Sequence, residues 1–122
     1  MAVTHSAATR NAIADAVLAE IDIDAGAGTL EFQTSGSAEA ATVTLSDPAG
    51  TVSAEVLTFS SITDDTSATG GTVDRFEIKS NGGGSRVLGA VSTSGSDINL
   101  SSLVIGVGDT VSISSLTYTA PV

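Results

Sequence analysis

The stretch RFEIKSNGGGSRVL, residues 75–88, decides the fold class of this chain. Phe76 and Ile78 alternate with charged residues, and this period of two is typical of a half-buried β-strand. Asn81 opens a run of glycines, and Asn and Gly accept the positive φ angles that tight hairpin turns require. Apolar residues resume at Val87. The stretch therefore predicts a β-hairpin.

The same pattern continues on both sides of this hairpin. About seven short apolar runs follow one another at roughly 8–15-residue spacing with turn signals between them, which favours an antiparallel β-sandwich, immunoglobulin-like or jelly-roll-like. We expect the sandwich to occupy residues 29–119. Aromatic residues make up only 3% of the chain, so the core must be built from Val, Ile, Leu and Ala with three phenylalanines. These are Phe32, Phe59 and Phe76.

Two of the runs change phase partway along. Apolar residues point one way up to Val56 and the other way from Leu57, and a similar step separates Ile113 from Leu116. In a continuous strand, such a step indicates a β-bulge or a strand that passes from one sheet to the other. We therefore expect a bend at both places.

The first residues follow a helical period instead. We predict a helix over residues 4–22, capped by Thr4 or Ser6 and ended by the segment Ala25–Gly28. The helix is expected either to cover one open end of the sandwich or to dock on a neighbouring molecule. Its apolar stripe consists of Ile13, Val17, Leu18 and Ile21. At 122 residues, the chain is expected to form one domain over residues 1–122.

Charge and composition exclude several classes of function. The net charge is −10, with four basic residues against fourteen acidic ones, so binding to nucleic acid or to anionic membranes is not expected. Cysteine is absent, which excludes disulfides and thiolate sites. No run approaches the ~18 apolar residues of a membrane span, and the first residues lack the apolar stretch of a secretory signal. We therefore expect a protein made in the cytoplasm.

Candidate chemical groups are few and weakly spaced. Acidic residues at D-x-D and D-D spacing could supply oxygen ligands to calcium, but no complete calcium loop follows them, and solvated turn carboxylates are the preferred interpretation. A serine nucleophile needs a base, and the only histidine is His5. We therefore predict no catalytic residues, no cofactor, no metal and no enzymatic activity. The acidic pairs are Asp22 with Asp24 and Asp64 with Asp65.

Three of the four basic residues lie in or beside the hairpin. Arg75, Lys79 and Arg86 either form ordinary cross-strand pairs or make one basic patch that contacts an acidic neighbouring subunit. The strand edges carry Ser and Thr with almost no Lys, although exposed edges are usually guarded by charge or proline. Either the helix and loops cover these edges, or the edges pair with partners in an assembly.

The order of these segments resembles small structural proteins of tailed bacteriophage particles. The resemblance spans nearly the whole chain and consists of turn and strand patterns, so it assigns no functional residue. It implies a virion protein, assembled in the host bacterial cytoplasm, that contacts other virion proteins and copies of itself. The matching segments are AATRNAIADAVLAEID, GAGTLEF, ATVTLSDPAG, GTVDRFEIKS and SDINLSSLVIGVGDTVSISSLTYTAP.

Within a virion, we expect a capsid decoration (cement) protein on the outer head shell. A chain at −10 is repelled from packaged DNA, so an outer position suits it. In that position the partner of this chain is the major capsid protein. The alternative is that the partner is a tail or neck protein, which would place the chain at the head–tail junction or in the tail. An alternative of another class is a carbohydrate-binding or adhesion module, since β-sandwiches often serve that function.

Overall fold

The computed structural model describes residues 3–94, 98–100 and 102–121, without the side chain of Asn99. This part of the chain forms one helix, α1, and ten short strands, β1 to β10. The predicted mainly β fold with one N-terminal helix is confirmed. The elements are α1 (Ala7–Ile21), β1 (Thr29–Gln33), β2 (Glu39–Thr44), β3 (Gly50–Ser53), β4 (Val56–Phe59), β5 (Gly71–Thr72), β6 (Arg75–Lys79), β7 (Ser85–Ser92), β8 (Ile98–Asn99), β9 (Val104–Ile105) and β10 (Thr117–Thr119).

The helix begins three residues later than predicted because Ser6 caps it. The Ser6 Oγ accepts a hydrogen bond from the Thr9 amide at 3.2 Å, which satisfies one of the free donors of the first turn. The helix ends at Ile21, and Asp22 follows as its C-cap. Of the two capping candidates, the structure thus selects Ser6.

The first sheet has five strands in the order β2-β1-β6-β7-β8. Neighbours are antiparallel except β7 and β8, which run parallel. Phe32 lies opposite Phe76 and Leu30 opposite Ile78, so the apolar residues of β1 and β6 share one face. The predicted hairpin is the β6–β7 pair, and its turn is closed by a hydrogen bond from the Gly83 amide to the Ser80 carbonyl at 2.9 Å.

The second sheet has three strands in the order β10-β4-β3. The bend that was predicted between Val56 and Leu57 is wrong. Residues 50–59 form two strands joined by a two-residue turn. Ala54 and Glu55 both have positive φ, at 51° and 67°, as the central residues of a tight hairpin require. The change of phase at Val56 therefore comes from a reversal of the chain.

The second bend, predicted between Ile113 and Leu116, does not lie within a continuous strand either. Val111 makes an isolated bridge with Asp65, and regular pairing resumes only at Thr117 in β10. A further two-stranded sheet joins β5 to β9. Such two-residue strands depend on distant partners, which explains why the structure has more strands than the sequence predicts.

The core lies between the two larger sheets. The predicted phenylalanines are all buried: Phe32 is 0% exposed, and Phe59 and Phe76 are each 6% exposed. The helix contacts β3 and β4 of one sheet and β7 of the other. Of its predicted stripe, Ile21 is fully buried, whereas Val17 and Leu18 are partly buried against the core. The helix thus covers strands of both sheets in its own chain.

Hydrogen bonds from Arg10 and to Asn11 fix the first turns of the helix to the sandwich. Two groups of the Arg10 guanidinium donate to the Ala120 carbonyl at 2.9 and 3.3 Å. The Asn11 Oδ1 accepts from the Glu55 amide in the β3–β4 turn at 2.8 Å. The first turns of α1 therefore lie beside the end of β10 and the tip of the β3–β4 hairpin.

Candidate functional site: an apolar groove between the sheets

The three basic residues that were predicted as partner contacts lie at separate places. The Arg75 guanidinium donates to Ser37 Oγ at 3.2 Å, and Lys79 Nζ lies 3.0 Å from Glu31 Oε2 and 3.6 Å from Glu77 Oε1. The Arg86 guanidinium pairs with Glu20 of α1 at 2.9 Å. Lys79 and Arg86 thus balance carboxylates of their own chain. That the three residues contact a partner remains a prediction.

Lys79 belongs to a polar cluster on the outer face of the five-stranded sheet. Glu31 and Glu77 lie directly opposite each other on β1 and β6, which would be unfavourable for two bare carboxylates. The buried Gln33 Nε2 donates to both of them at 2.9 Å. The ammonium group and this shared amide together allow the two like charges to lie side by side.

The environment shifts the pKa of two groups in this cluster. The Ser85 hydroxyl, followed by Gln33 and Lys79, lowers the pKa of Glu77 below its ordinary 4.5, although partial burial opposes the shift. Hydrogen bonding to Glu31 raises the pKa of Lys79 above its ordinary 10.5. Both shifts favour the charged forms in the folded protein.

A pH-dependent loss of stability follows from the shift of Glu77. Because its folded pKa is depressed, its contribution is complete above the unfolded pKa and is lost as the pH falls through the folded pKa. Glu77→Gln should lower the free energy of unfolding by about 1.5 kcal/mol at pH 7, from hydrogen bonds to a charged group. The difference from the wild-type chain should shrink towards zero at pH 3 in urea titrations.

A matched control is Glu55→Gln. The Glu55 side chain makes no hydrogen bond or ion pair among the residues that the structure describes. This variant should track the wild-type chain at both pH values. An equal effect of Glu77→Gln at pH 7 and pH 3 would contradict the assignment of its contribution to the carboxylate.

Three of the four candidate acidic residues accept hydrogen bonds from backbone amides. Asp22 accepts from the Ala49 amide at 3.1 Å, and Asp24 accepts from the Gly82 amide at 2.9 Å. Asp65 accepts from the Thr42 amide at 2.8 Å, whereas Asp64 is exposed. Across residues 3–94, 98–100 and 102–121, His, Asp and Glu form no group of three or more that could hold a metal ion. Asp22 and Asp24 thus anchor backbone amides of loops, and Asp65 anchors a backbone amide of β2.

An apolar groove of about 290 Å³ lies between the two sheets. One wall comes from β6, β7 and the first residue of β8, and the other comes from β4, β10 and the residue that precedes β10. None of its lining residues is charged. They are Phe59, Phe76, Ile78, Val87, Leu88, Ile98, Leu116, Thr117, Tyr118 and Thr119.

Among the strands that the structure describes, none joins the two sheets on the side where the groove lies. Strand β7 pairs with β6 between Ser85 and Ala90, and the described residues of β8 pair with its other side at Val91 and Ser92. Strand β10 pairs with β4 and, among the described strands, has no partner on its other side. Two strand edges thus border an apolar cleft, and Leu88 at its rim is 56% exposed.

An uncharged cleft between two strand edges suits contact with another polypeptide. Backbone groups at the edges offer hydrogen bonds, and the cleft accepts alternate apolar side chains. Sequence reasoning left open whether the strand edges are covered or pair with partners, so it did not locate this site. The signal that was available is the displaced pair Leu116 and Tyr118, which line the groove from the β10 side.

Comparison with known proteins gives no relative for this chain. No family model, no curated protein and no solved structure matches it. In the described part of the chain, no helix has the length and apolar character needed to cross a membrane. The groove and the charge distribution are therefore the observations from which a function can be argued.

Proposed function

We propose that this chain is a non-enzymatic structural protein of a tailed bacteriophage particle, bound as a decoration protein to the outer surface of the head shell. The observation that carries the proposal is the uncharged groove, an apolar surface for protein contact in a chain with a net charge of −10. Its partners are the major capsid protein and copies of itself. The order of helix, strands and turns, which resembles small virion proteins, supports the same function.

The surroundings of the groove favour a protein partner. Its rim combines the exposed Leu88 with hydroxyl-bearing residues of β10, so it can form both apolar contacts and hydrogen bonds. The acidic surface disfavours contact with packaged DNA. A position on the outside of the shell satisfies both requirements.

Binding to purified phage heads tests the proposal. Heads and tails of the phage that encodes this chain, prepared without it, should be mixed separately with the purified protein and sedimented. The wild-type chain is expected to sediment with heads, and Leu88→Asp should weaken binding at least about tenfold, because a buried apolar contact becomes charged. Val107→Asp is the matched control, since Val107 is 86% exposed and lies outside the groove.

Three outcomes would overturn the proposal. Binding to tails alone would move the protein from the head to the tail or neck. Binding to neither fraction would contradict a virion position. Specific binding on a glycan array without binding to heads would favour an adhesion module.

A further inference from the structure

The β6–β7 turn contains an asparagine that is followed directly by a glycine. Of the three asparagines in the sequence, Asn81 alone precedes a glycine, and both Asn81 and Gly82 are exposed. A glycine has no side chain to shield its backbone nitrogen, and its backbone moves more freely than that of any other residue. Its nitrogen can therefore reach the side-chain amide of the preceding residue, which makes Asn81 a candidate for chemical modification.

The structure places the two groups that would react on one side of the turn. The Asn81 Nδ2 donates to the Ala27 carbonyl at 2.9 Å, and the Gly82 amide donates to Asp24 Oδ2 at 2.9 Å. Ala27 and Asp24 belong to the same short loop, which joins α1 to β1. The side-chain amide of Asn81 and the backbone nitrogen of Gly82 therefore face the same loop, as an attack of one on the other requires.

Two glycines make this close approach of loop and turn possible. A Cβ at Gly26 would lie 2.9 Å from the Asn81 Nδ2, and a Cβ at Gly82 would lie 2.7 Å from Asp24 Oδ2. Side chains at these two positions would push the amide and the carboxylate away. The glycine in the loop and the glycine in the turn thus both specify the arrangement.

Asp24 is placed to remove the proton that the attack must release. Its carboxyl group is ionised at neutral pH, as aspartates ordinarily are. Its Oδ2 lies 2.9 Å from the Gly82 nitrogen, which must lose a proton to form a new bond. This distance is within the hydrogen-bond reach that a general base requires.

We propose that Asn81 is a self-modification site, at which the Gly82 nitrogen attacks the Asn81 side chain with Asp24 as the general base. A bond forms from the Gly82 nitrogen to the Asn81 Cγ, and the bond from Cγ to Nδ2 breaks. The Nδ2 leaves as ammonia with the proton that Asp24 has taken from the Gly82 nitrogen. Water then opens the cyclic succinimide at either of its carbonyls, which leaves aspartate or isoaspartate at this position.

The reaction is a single event in each chain, so it is not enzymatic turnover. Water is its only co-reactant, and no group changes its oxidation state. The inference concerns chemistry in the β6–β7 turn, so it goes beyond attachment to a head shell and does not require it.

The modification should release the loop from the hairpin. A carboxylate at position 81 cannot donate to the Ala27 carbonyl, and it adds a negative charge on the side of the turn that faces Asp24. Isoaspartate also lengthens the backbone within a turn that the hydrogen bond from Gly83 to Ser80 closes. Modified molecules are therefore expected to unfold at a lower urea concentration than unmodified ones.

Incubation of the folded protein at neutral pH, followed by peptide mass spectrometry, tests the proposal. Tryptic cleavage after Lys79 and Arg86 releases residues 80–86 as one peptide, and chromatography separates its aspartate and isoaspartate forms. We expect Asn81 to convert at least about tenfold faster than Asn11 in the same sample. Asn11 is the internal control, because it lies within α1 and its Oδ1 accepts from the Glu55 amide.

Asp24→Asn tests the general base separately. Asparagine keeps an oxygen that can accept from the Gly82 amide but removes the negative charge, so conversion of Asn81 should slow at least about tenfold. Asp47→Asn is the matched control, since it removes the same charge from another exposed turn and should leave the rate unchanged. Far-UV circular dichroism of both variants checks that they stay folded.

Three results would overturn the inference. One is an Asn81 amide that lasts as long as the Asn11 amide. Another is an equal rate at Asn81 in Asp24→Asn and Asp47→Asn. The third is faster conversion of Asn81 in the urea-unfolded chain than in the folded one, since the fold would then protect the turn.

Discussion

Replacing Phe32 by alanine should destabilise the protein by about 3–5 kcal/mol, as expected for loss of a buried aromatic side chain. Phe32 is 0% exposed and lies on β1, with Ala41 of β2 on one side and Phe76 of β6 on the other. Since single domains are typically stable by only about 5–15 kcal/mol, this loss removes a large part of the total. The effect should be severe because this core contains only three phenylalanines.

Urea unfolding followed by far-UV circular dichroism measures the effect. Phe32→Leu keeps most of the volume and should cost less than about 1.5 kcal/mol. Val104→Ala truncates a side chain that is 68% exposed and should change stability by no more than about 0.5 kcal/mol. A cost for Phe32→Ala close to that of Val104→Ala would mean that β1 does not form the centre of the core.

Elements with a strong local signal could be predicted from the sequence. The alternation of Phe76 and Ile78 with charged residues identified the buried face of β6, and Asn81 with its glycines identified the β6–β7 turn. In each case, the residues that specify the structure are neighbours along the chain. The described strands run from Thr29 in β1 to Thr119 in β10.

The β3–β4 turn could not be predicted, because its central residues are poor turn formers. Ala54 and Glu55 adopt positive φ although neither is Gly or Asn. Distant groups hold them there: Asn11 accepts from the Glu55 amide, and the Ala120 amide donates to the Glu55 carbonyl at 3.1 Å. Tertiary contacts thus determine a conformation that local propensity opposes.

The same limit applies to the candidate functional surface. The sequence placed Arg86 near Lys79 on one hairpin, but it could not show that Arg86 reaches Glu20 on the helix. The sequence also could not show the groove. Its two walls come from different sheets, and the described strands of the two sheets are distant in sequence and not paired with each other. Charge and apolar content were readable from the sequence, whereas their arrangement in space was not.

The structure gives Gly50 a different position from the one that the sequence predicts. The segment Asp47–Gly50 predicts a turn, in which glycine at the last position is a preference of the turn itself. In the structure, Gly50 is the buried first residue of β3 and lies opposite Phe59 of β4. Here the glycine is required because the neighbouring backbone leaves no space for a side chain.

Gly50→Ala should therefore cost about 3 kcal/mol, at the upper end of the range for overpacking. The added Cβ would collide with the Thr58 carbonyl oxygen and lie 2.8 Å from its carbon and 2.9 Å from the Phe59 Cα. These are backbone atoms of a paired strand, so no side-chain rotation relieves the contact. Gly36→Ala is the control, because its nearest neighbour is the Thr34 Oγ1 at 3.9 Å, and its cost should stay within about 0.5 kcal/mol. Equal thermal unfolding midpoints for the two variants would show that β3 and β4 are not packed this closely.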